Sequence, residues 1–164
     1  MMNIQIIKAD LKYVSGFREN LDSVAREEKF ILFLEAPPLA SVEEFVKKNI
    51  ANNVPQCFAL DGENVVGWCD VSPLSRKTID HRGSLGMGVI ASHRGKGIGS
   101  LLLKETLAWA KDRGLEKVEL EVYAGNSSAI GLYKKFGFIE EGRIKKGRKH
   151  KGQYEEMILM GLFL

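Results

Sequence analysis

The sequence predicts an α/β protein built around a sheet of mixed strand direction. Apolar runs of strand length are interleaved with segments of helical periodicity, in the order strand, two helices, three strands, helix, strand, helix and two strands. Only the stretch 85–123 has the strand–helix–strand order of a right-handed parallel crossover. A length of 164 residues fits one domain, which we expect to comprise residues 1–164.

In the first half of the chain, the pattern predicts a strand, two helices and a hairpin. Closely spaced isoleucines mark a strand at 4–7, and Asp10 can cap a helix that runs to about residue 29. Ser41 followed by Glu44 forms a capping-box pattern, which predicts a second helix to about residue 52. Asp61-Gly62 separates two apolar runs and therefore predicts a β-hairpin.

The second half of the chain alternates between strands and helices. A helix after a glycine-rich segment should end at Arg113, because Gly114 is a typical residue just beyond a helix. Charged and apolar residues then alternate through 118–123, as expected for a strand with one polar face. The remaining predicted elements are a strand at 85–90, a short helix at 127–136 and two final strands at about 138–145 and 154–163.

Composition and charge indicate an ordinary globular protein and exclude several classes. The chain has 24 basic and 21 acidic residues and a net charge of +3, which is too balanced to require a nucleic-acid partner. Its two cysteines, Cys57 and Cys69, match neither a zinc site nor a disulfide framework, and we expect no metal site. No apolar run approaches the roughly 20 residues of a membrane span. We therefore expect a cytoplasmic protein with no membrane partner.

The most informative segment is the glycine-rich turn Arg94–Ser100, between a predicted strand and a long helix. Alternate glycines let the backbone approach an anion closely. The free N–H groups of the first helical turn, together with the helix dipole, then favour a phosphate group. Arg94 and Lys96 add positive charge. A flexible turn would explain only one or two of these glycines.

Two other kinds of phosphate-binding loop fit less well. A Walker loop needs Ser or Thr directly after its Gly-Lys, whereas Gly97 follows Lys96. A dinucleotide fingerprint would have a third glycine where Ser100 stands, although Glu116 lies at the distance expected of its ribose-binding acid. This strand–helix unit also comes mid-chain, without a second nucleotide-binding half after it.

Two motifs at the expected separation resemble those of the GNAT superfamily of N-acetyltransferases. Arg94, Gly97 and Gly99 match its pattern of Gln or Arg, two residues, Gly, one residue, then Gly or Ala. The segment Leu120–Phe138 is similar to the strand, asparagine, tyrosine and Gly-Phe that follow in this superfamily. The resemblance extends over about residues 85–163. It is closest to the small-molecule and amino-acid N-acetyltransferases and to the ribosomal-protein-alanine N-acetyltransferase branch.

The resemblance implies a fold, a co-substrate and a set of binding residues. The fold would be a mixed, mostly antiparallel central sheet with a splayed central strand pair and about four flanking helices, and Gly86 and Gly88 would form a bulge there. The co-substrate would be acetyl-CoA, with its pantetheine arm along residues 87–89 and its pyrophosphate on residues 95–100. The implied coenzyme-binding residues are Met87, Gly88, Val89, Arg94, Gly95, Lys96, Gly97, Ile98, Gly99, Ser100 and Asn126.

Two residues are candidates for catalysis. Tyr133 can protonate the departing coenzyme sulfur, because a phenol stays protonated at neutral pH; alternatively, its ring merely packs on the sheet. Glu121 matches the general base of the ribosomal-protein-alanine branch, although alternating strand carboxylates are usually a solvated face. Asn126 has an alternative role as a helix N-cap. Many members have a glutamate at the start of the preceding strand, where this chain has Ser84.

The resemblance implies an N-acetyltransferase that moves an acetyl group from acetyl-CoA directly to a primary amine through a ternary complex. The acceptor would be a small molecule or a protein N-terminus. The alternative is a non-catalytic sensor or interaction module that binds an acyl-CoA. The fold would also permit a homodimer.

A cationic cluster precedes the final strand. We expect it to be a solvated hairpin tip rather than an RNA site, because Glu155 and Glu156 follow it at once and it lacks interleaved aromatic residues. The cluster comprises Arg143, Lys145, Lys146, Arg148, Lys149 and Lys151.

Overall fold

A computed structural model describes residues 2–164 as a seven-stranded sheet with four α-helices. The strands are β1 (Ile4–Lys8), β2 (Gln56–Asp61), β3 (Asn64–Pro73), β4 (Arg82–Val89), β5 (Lys117–Tyr123), β6 (Ile139–His150) and β7 (Gln153–Phe163). The helices are α1 (Val14–Ala25), α2 (Leu39–Ala51), α3 (Ile98–Asp112) and α4 (Ser127–Lys135). The predicted order of elements is confirmed.

The sheet is mixed and mostly antiparallel, as predicted. Its strand order is β1-β2-β3-β4-β5-β7-β6, and only β4 and β5 run parallel to each other. These two strands pair only through Arg82–Ser84 and Lys117–Glu119, and no pairing continues beyond them. The rest of each strand therefore borders a V-shaped gap in the middle of the sheet, which confirms the predicted splay.

Helices cover both faces of the sheet and divide its core in two. On what we call the α3/α4 face, Leu102 and Tyr133 pack in one buried cluster with residues of the central strands. On the opposite α1/α2 face, Phe17, Val46 and Trp68 belong to a second buried cluster. Successive residues of a strand point to opposite faces, so β2 and β3 contribute to both clusters, whereas the core residues that β4, β5 and β7 contribute belong to the α3/α4 cluster. No helix within residues 2–164 combines the length and apolar character needed to span a membrane.

The bulge predicted at Gly86 and Gly88 is wrong. β3 and β4 pair in an unbroken register, with Asp70 opposite Gly86 and Trp68 opposite Gly88. A β-carbon on Gly88 would lie 2.3 Å from the Trp68 ring. Glycine is therefore needed at position 88 because the indole packs directly against the backbone there. The free backbone edge of β4 arises from its divergence from β5 instead.

Two of the predicted helix boundaries in the first half are also wrong. Asp10 does accept a hydrogen bond from the Lys12 amide (2.8 Å), but it caps a single 3₁₀ turn, and α1 follows at Val14 and ends at Ala25. α2 begins at Leu39, two residues before the predicted cap at Ser41. Pro38 takes the N-cap position, and its carbonyl accepts the amide of Ser41 (3.0 Å), which places Ser41 inside the first turn.

Candidate active site

A cleft of about 1310 Å³ opens on both faces of the sheet at the gap between β4 and β5. Every predicted site residue lines it except Lys96. The cleft brings together residues that approach from opposite sides: Ser100, Asn126 and Tyr133 from the α3/α4 side, and Phe33, Asp70 and Glu121 from the α1/α2 side.

The glycine-rich turn has the backbone geometry of an anion site. Gly95 and Gly97 adopt φ angles of 72° and 80°, in the left-handed region that favours glycine. A β-carbon at either position would meet nothing within 4 Å, so the space above the turn is open. α3 begins at Ile98, and the N–H groups of its first turn lack intrahelical acceptors. Partially positive donors at a helix N-terminus beside open space suit a phosphate group.

The two cations of the turn are already engaged by the protein. Arg94 donates from Nη1 to Glu27 (2.7 Å) and from Nε to the Val89 carbonyl (2.8 Å), and its guanidinium lies 4.6 Å from the Phe30 ring centroid. This pairing lowers the pKa of Glu27. Lys96 donates to the Ser92 carbonyl at 2.8 Å on the exposed side of the turn. The anion-binding character of the turn therefore comes mainly from backbone N–H groups.

β4 presents a free edge to the cleft. Met87, Gly88 and Val89 pair with β3 on one side and line the cleft on the other, beyond the last residues that pair with β5. A thin, extended ligand can add to such an edge as a strand would.

Two residues of the α4 segment border the same space. The Asn126 side chain accepts a hydrogen bond from the Ala129 amide (3.2 Å), so its N-capping role is confirmed. The Tyr133 ring is buried against Phe138, with 5.6 Å between the ring centroids. Burial raises the pKa of Tyr133, with a smaller contribution from Cys69, so the phenol is a proton donor throughout the neutral range.

The carboxylates that line the cleft belong to the α1/α2 face, and they differ in environment. Glu119 is held by Arg82 in a two-point ion pair (3.0 and 2.8 Å). Glu121 is exposed to solvent. Asp70 is partly buried and, in the part of the chain that the structure describes, has no cationic partner and receives only a hydrogen bond of 3.3 Å from the Ser72 hydroxyl. Burial raises the pKa of Asp70 to about 7, against the lowering effect of Ser72.

Sequence reasoning overlooked Asp70. The signal was present in the sequence: Asp70 is an acidic residue that follows an apolar run, and Ser72, two positions later in the same strand, points to the same face. An aspartate in such a strand is rare unless a partner or a function retains it.

The outer wall on this face is apolar and comes from α2 and the loop that precedes it. Phe33 and Phe45 line the cleft with 51% and 40% of their surfaces exposed, and Phe30, Ile31 and Leu32 lie beside them. Exposed apolar side chains grouped at a cleft indicate a surface that contacts a ligand.

The cationic cluster near the C-terminus is not a solvated tip at Arg148. β6 extends through the cluster to His150, and Arg148 is 9% exposed. Its guanidinium donates to the Glu28 carbonyl (2.6 Å) and lies 4.6 Å from the Tyr123 ring centroid. His150 also contacts the Glu28 carboxylate (2.9 Å). The β6–β7 hairpin thus contacts the segment that follows α1, and Glu28 and His150 line a smaller pocket of about 460 Å³ there.

Residues 2–164 contain no cluster of three or more His, Cys, Asp or Glu side chains placed to hold a metal ion. The arrangement offers a backbone anion site, a free strand edge, a buried phenol and carboxylates around one opening.

Comparison with known proteins identifies the family. The model of the acetyltransferase (GNAT) family matches residues 20–138, which is more than half of the chain. An L-amino acid N-acetyltransferase of Escherichia coli (strain K12) is 30% identical over 105 residues, and the match covers 62% of each chain. The matched segment thus spans less than two thirds of that relative.

Solved structures agree on the fold. A GNAT-family acetyltransferase from Streptococcus pneumoniae superimposes with a TM-score of 0.92 at 27% identity, over 99% of this chain and 100% of the other. A phosphinothricin acetyltransferase from Sinorhizobium meliloti, solved in complex with acetyl-CoA, gives a TM-score of 0.92 at 21% identity, over 99% of this chain and 89% of the other. The prediction from the two motifs is confirmed, and the chain belongs to the acetyltransferase (GNAT) family of acetyl-CoA-dependent acyltransferases.

Proposed function

We propose that this protein transfers an acetyl group from acetyl-CoA directly to a primary amine, with both substrates bound at once. One observation carries the proposal. The gap between β4 and β5 is lined by a buried phenol from the α3/α4 face and by carboxylates from the α1/α2 face, so both kinds of group border one cleft. An acid and a base on opposite sides of one point suit a single displacement without a covalent enzyme intermediate.

The residues present fit acetyl-CoA. Backbone N–H groups at Gly97–Ser100 would hold the pyrophosphate, the free edge at Met87–Val89 would pair with the pantetheine arm, and Asn126 would contact the coenzyme from the other side. Arg94 and Lys96 would add long-range positive charge, although their side chains already have partners. The coenzyme supplies an acetyl thioester, which places the reacting carbonyl in the gap.

The chemistry balances with the residues at hand. A carboxylate on the α1/α2 face takes a proton from the acceptor ammonium, and the freed amine nitrogen forms a bond to the acetyl carbon. The bond between that carbon and sulfur breaks, and the Tyr133 hydroxyl gives its proton to the departing sulfur. The second proton on the nitrogen, made acidic by the new C–N bond, is lost and restores the Tyr133 hydroxyl, so that the products are a neutral amide, free coenzyme thiol and the proton held by the carboxylate. Glu121 and Asp70 both lie on the side from which the amine would approach.

The acceptor side favours an amine with an apolar body and no carboxylate. The aromatic wall formed by α2 and the loop that precedes it suits an apolar group. The cations that line this face are already neutralised, Arg82 by Glu119 and Lys117 by Glu141 (2.8 Å), while Asp70 and Glu121 have no cationic partner. A positively charged amine is therefore better matched than the carboxylate of a free amino acid. We place the protein in the cytoplasm, and a homodimer stays a prediction.

The test is release of free thiol from acetyl-CoA in the presence of a panel of amines, with acetyl-CoA binding followed by calorimetry in the same preparation. The panel pairs phenethylamine with phenylalanine, and adds a polyamine, an aminoglycoside and peptides with free N-termini. Amine-dependent release, higher for phenethylamine than for phenylalanine, is expected. Tight binding without release for any amine would instead support a coenzyme-binding sensor. Absence of binding would overturn the proposal.

A further inference from the structure

We propose that Asp70 is the catalytic base that deprotonates the acceptor amine. The assignment rests on the proposed transfer reaction and specifies a residue within it. Asp70 lies on β3 directly opposite Gly86 of β4, the strand that borders the gap. A β-carbon at Gly86 would be 3.6 Å from the Asp70 carboxylate, so glycine at this position leaves the carboxylate uncovered toward the gap.

The surroundings of Asp70 make its carboxylate a stronger base than a hydrated one. Within residues 2–164 it lines the cleft without a cationic partner, and Ser72 is the one side chain that hydrogen-bonds to it. The charged groups that line the cleft on the same face are two mutual pairs, Arg82 with Glu119 and Lys117 with Glu141, and the exposed Glu121. Burial disfavours the ionised carboxylate, which raises its affinity for a proton.

The helices that pack over this face leave that environment uncharged. α1 contributes Phe17, Leu21 and Val24 to the buried cluster, and its buried amide, Asn20, donates to the Val65 carbonyl at 3.0 Å. α2 contributes Val42 and Val46 together with the buried amide of Asn49. These elements place apolar and amide groups, rather than counter-charges, around the strand that carries Asp70.

A buried amide beside Asp70 is poised to orient it. Gln56 of β2 is the register partner of Asp70, and directly opposite residues of antiparallel strands share a face. Asn49 donates to the Gln56 Oε1 at 3.0 Å, which fixes the amide group with its nitrogen as the remaining donor. That nitrogen is buried and has no hydrogen-bond partner among residues 2–164, so it does not bond to Asp70 in this structure. Because an unsatisfied buried donor is unfavourable, we include in the proposal that this amide turns toward the Asp70 carboxylate when it ionises, which makes Gln56 a positioning residue.

The resulting base is matched to its task. Burial raises the pKa of Asp70 to about 7, so the carboxylate is ionised on the alkaline side of neutrality. Proton transfer from a free ammonium, with a pKa near 10, is then unfavourable by roughly a thousandfold rather than the roughly millionfold expected of an ordinary carboxylate. The small fraction of free amine formed in this way is drawn forward because its attack on the thioester consumes it. Glu121, which is exposed on the same face, would serve to attract the cationic amine.

The experiment compares wild type, Asp70→Asn and Glu121→Gln by the pH dependence of kcat/KM with the best amine of the panel. In the wild type we expect an acidic limb with a midpoint near pH 7, separate from the amine's own ionisation near pH 10. Asp70→Asn should lower kcat/KM by about 10²–10⁴-fold and remove this limb. Acetyl-CoA binding, measured by calorimetry, should be unchanged. Glu121→Gln should keep the limb.

Further variants separate catalysis from a structural role. Asp70→Glu should be more active than Asp70→Asn and should show an acidic limb, because it retains a carboxylate. If position 70 mattered only for folding, Asp70→Glu would have no reason to show such a limb. Gln56→Met, which removes the amide donor, should move the midpoint of the limb to higher pH. Thermal unfolding verifies that each variant is folded.

The outcomes of the inference and of the proposed function are distinguishable. Wild-type protein that binds acetyl-CoA but turns over no amine would count against the transfer reaction itself. Active wild type with the same limb and turnover in Asp70→Asn would overturn the assignment of Asp70. A limb that disappears in Glu121→Gln and persists in Asp70→Asn would transfer the role to Glu121.

Discussion

The two sides of the cleft are built differently. The coenzyme side is nearly continuous in sequence: β4, the glycine-rich turn, α3, β5 and α4 follow one another from Arg82 to Lys135. The acceptor side is assembled from segments that are distant in sequence. Hydrogen bonds hold them together, between Arg94 and Glu27, 67 positions apart, and between Arg148 and Glu28, 120 positions apart. A local site can be described by a motif, whereas a site made of long-range contacts depends on how the whole chain folds.

The difference extends to chemistry. The coenzyme side presents backbone N–H groups and a free strand edge, which depend on conformation and tolerate many side chains. The acceptor side presents individual side chains, a partly buried aspartate and exposed aromatic residues, each of which one substitution would change. We therefore expect substitutions on the first side to affect coenzyme binding, and substitutions on the second side to affect rate, pH dependence and acceptor choice.

The largest effect is expected where backbone conformation is essential. Gly97→Val should lower acetyl-CoA affinity by more than about a hundredfold in calorimetry, because valine is strained by about 1–3 kcal/mol at a φ of 80° and would fill the space before the α3 N–H groups. Gly62→Val is the matched control. Its φ is 61°, it also has no neighbour within 4 Å, and it lies in the β2–β3 turn. Normal affinity in Gly97→Val would contradict the phosphate cradle.

A large effect on rate alone is expected at Tyr133. Tyr133→Phe keeps the buried ring but removes the proton donor, so kcat should fall by about 10²–10³-fold while acetyl-CoA affinity stays within about twofold. Steady-state kinetics with several amines measures the first and calorimetry the second. Tyr154→Phe, which alters a half-exposed tyrosine outside the cleft, serves as the control. Equal turnover in both variants would remove Tyr133 as the acid.

The free energy of unfolding should depend on pH through Asp70, the residue that we propose as the catalytic base. The folded state raises the pKa of Asp70 from 3.8 to about 7, so it binds the proton more tightly than the unfolded chain does. The stability difference is absent below about pH 4 and develops as pH rises to about 7, where the buried carboxylate is ionised. The full shift corresponds to about 4 kcal/mol, and because Asp70 is only partly buried we expect about half of it. Asp70→Asn should therefore be more stable than wild type by about 2 kcal/mol at pH 8 and equal to it at pH 4.

Denaturant unfolding at both pH values measures this difference. Asp80→Asn, which alters an exposed aspartate, should show no such pH-dependent gain. A constant difference between wild type and Asp70→Asn across the range would mean that the buried charge carries no stability penalty.

The smallest effect is expected at the contact between the two sides. Glu27→Gln removes the partner of Arg94, and we expect KM to rise about three- to tenfold for both acetyl-CoA and the amine, because the partly buried guanidinium loses its counter-charge. Glu63→Gln removes a fully surface pair with Lys12 and should leave both constants unchanged. An effect on only one substrate would show that the two sides act independently.

Sequence patterns predicted the coenzyme side well because its determinants are local. Three alternate glycines before a helix, and an asparagine and a tyrosine one helix later, specify positions without reference to distant residues. The fold class followed from the order of elements, and the splay of β4 and β5 from the resemblance.

The failures have a common cause. The capping box predicted that α2 begins after Ser41, but Pro38 is the N-cap, because its fixed φ near −53° lets the helix begin earlier. Gly88 is explained by an indole 20 residues away in the sequence rather than by a bulge. Arg148 is buried because the segment that follows α1 packs against it at Glu28. Asp70 acquires its character from the strands and helices packed around it. In each case the deciding neighbour is a tertiary contact, which local periodicity does not encode.

The V-shaped gap also bears on how this sheet avoids aggregation. Unpaired strand edges attract strands of other chains, and here the sheet has inner edges at β4 and β5 as well as outer ones at β1 and β6. The outer edges have their own protection, since β1 has only five residues and β6 is rich in charge. The inner edges lie between helices on both faces, which an invading sheet would have to displace. Self-association through strand addition would therefore start at the rim of the sheet, and the opening in its centre can stay unpaired without endangering solubility.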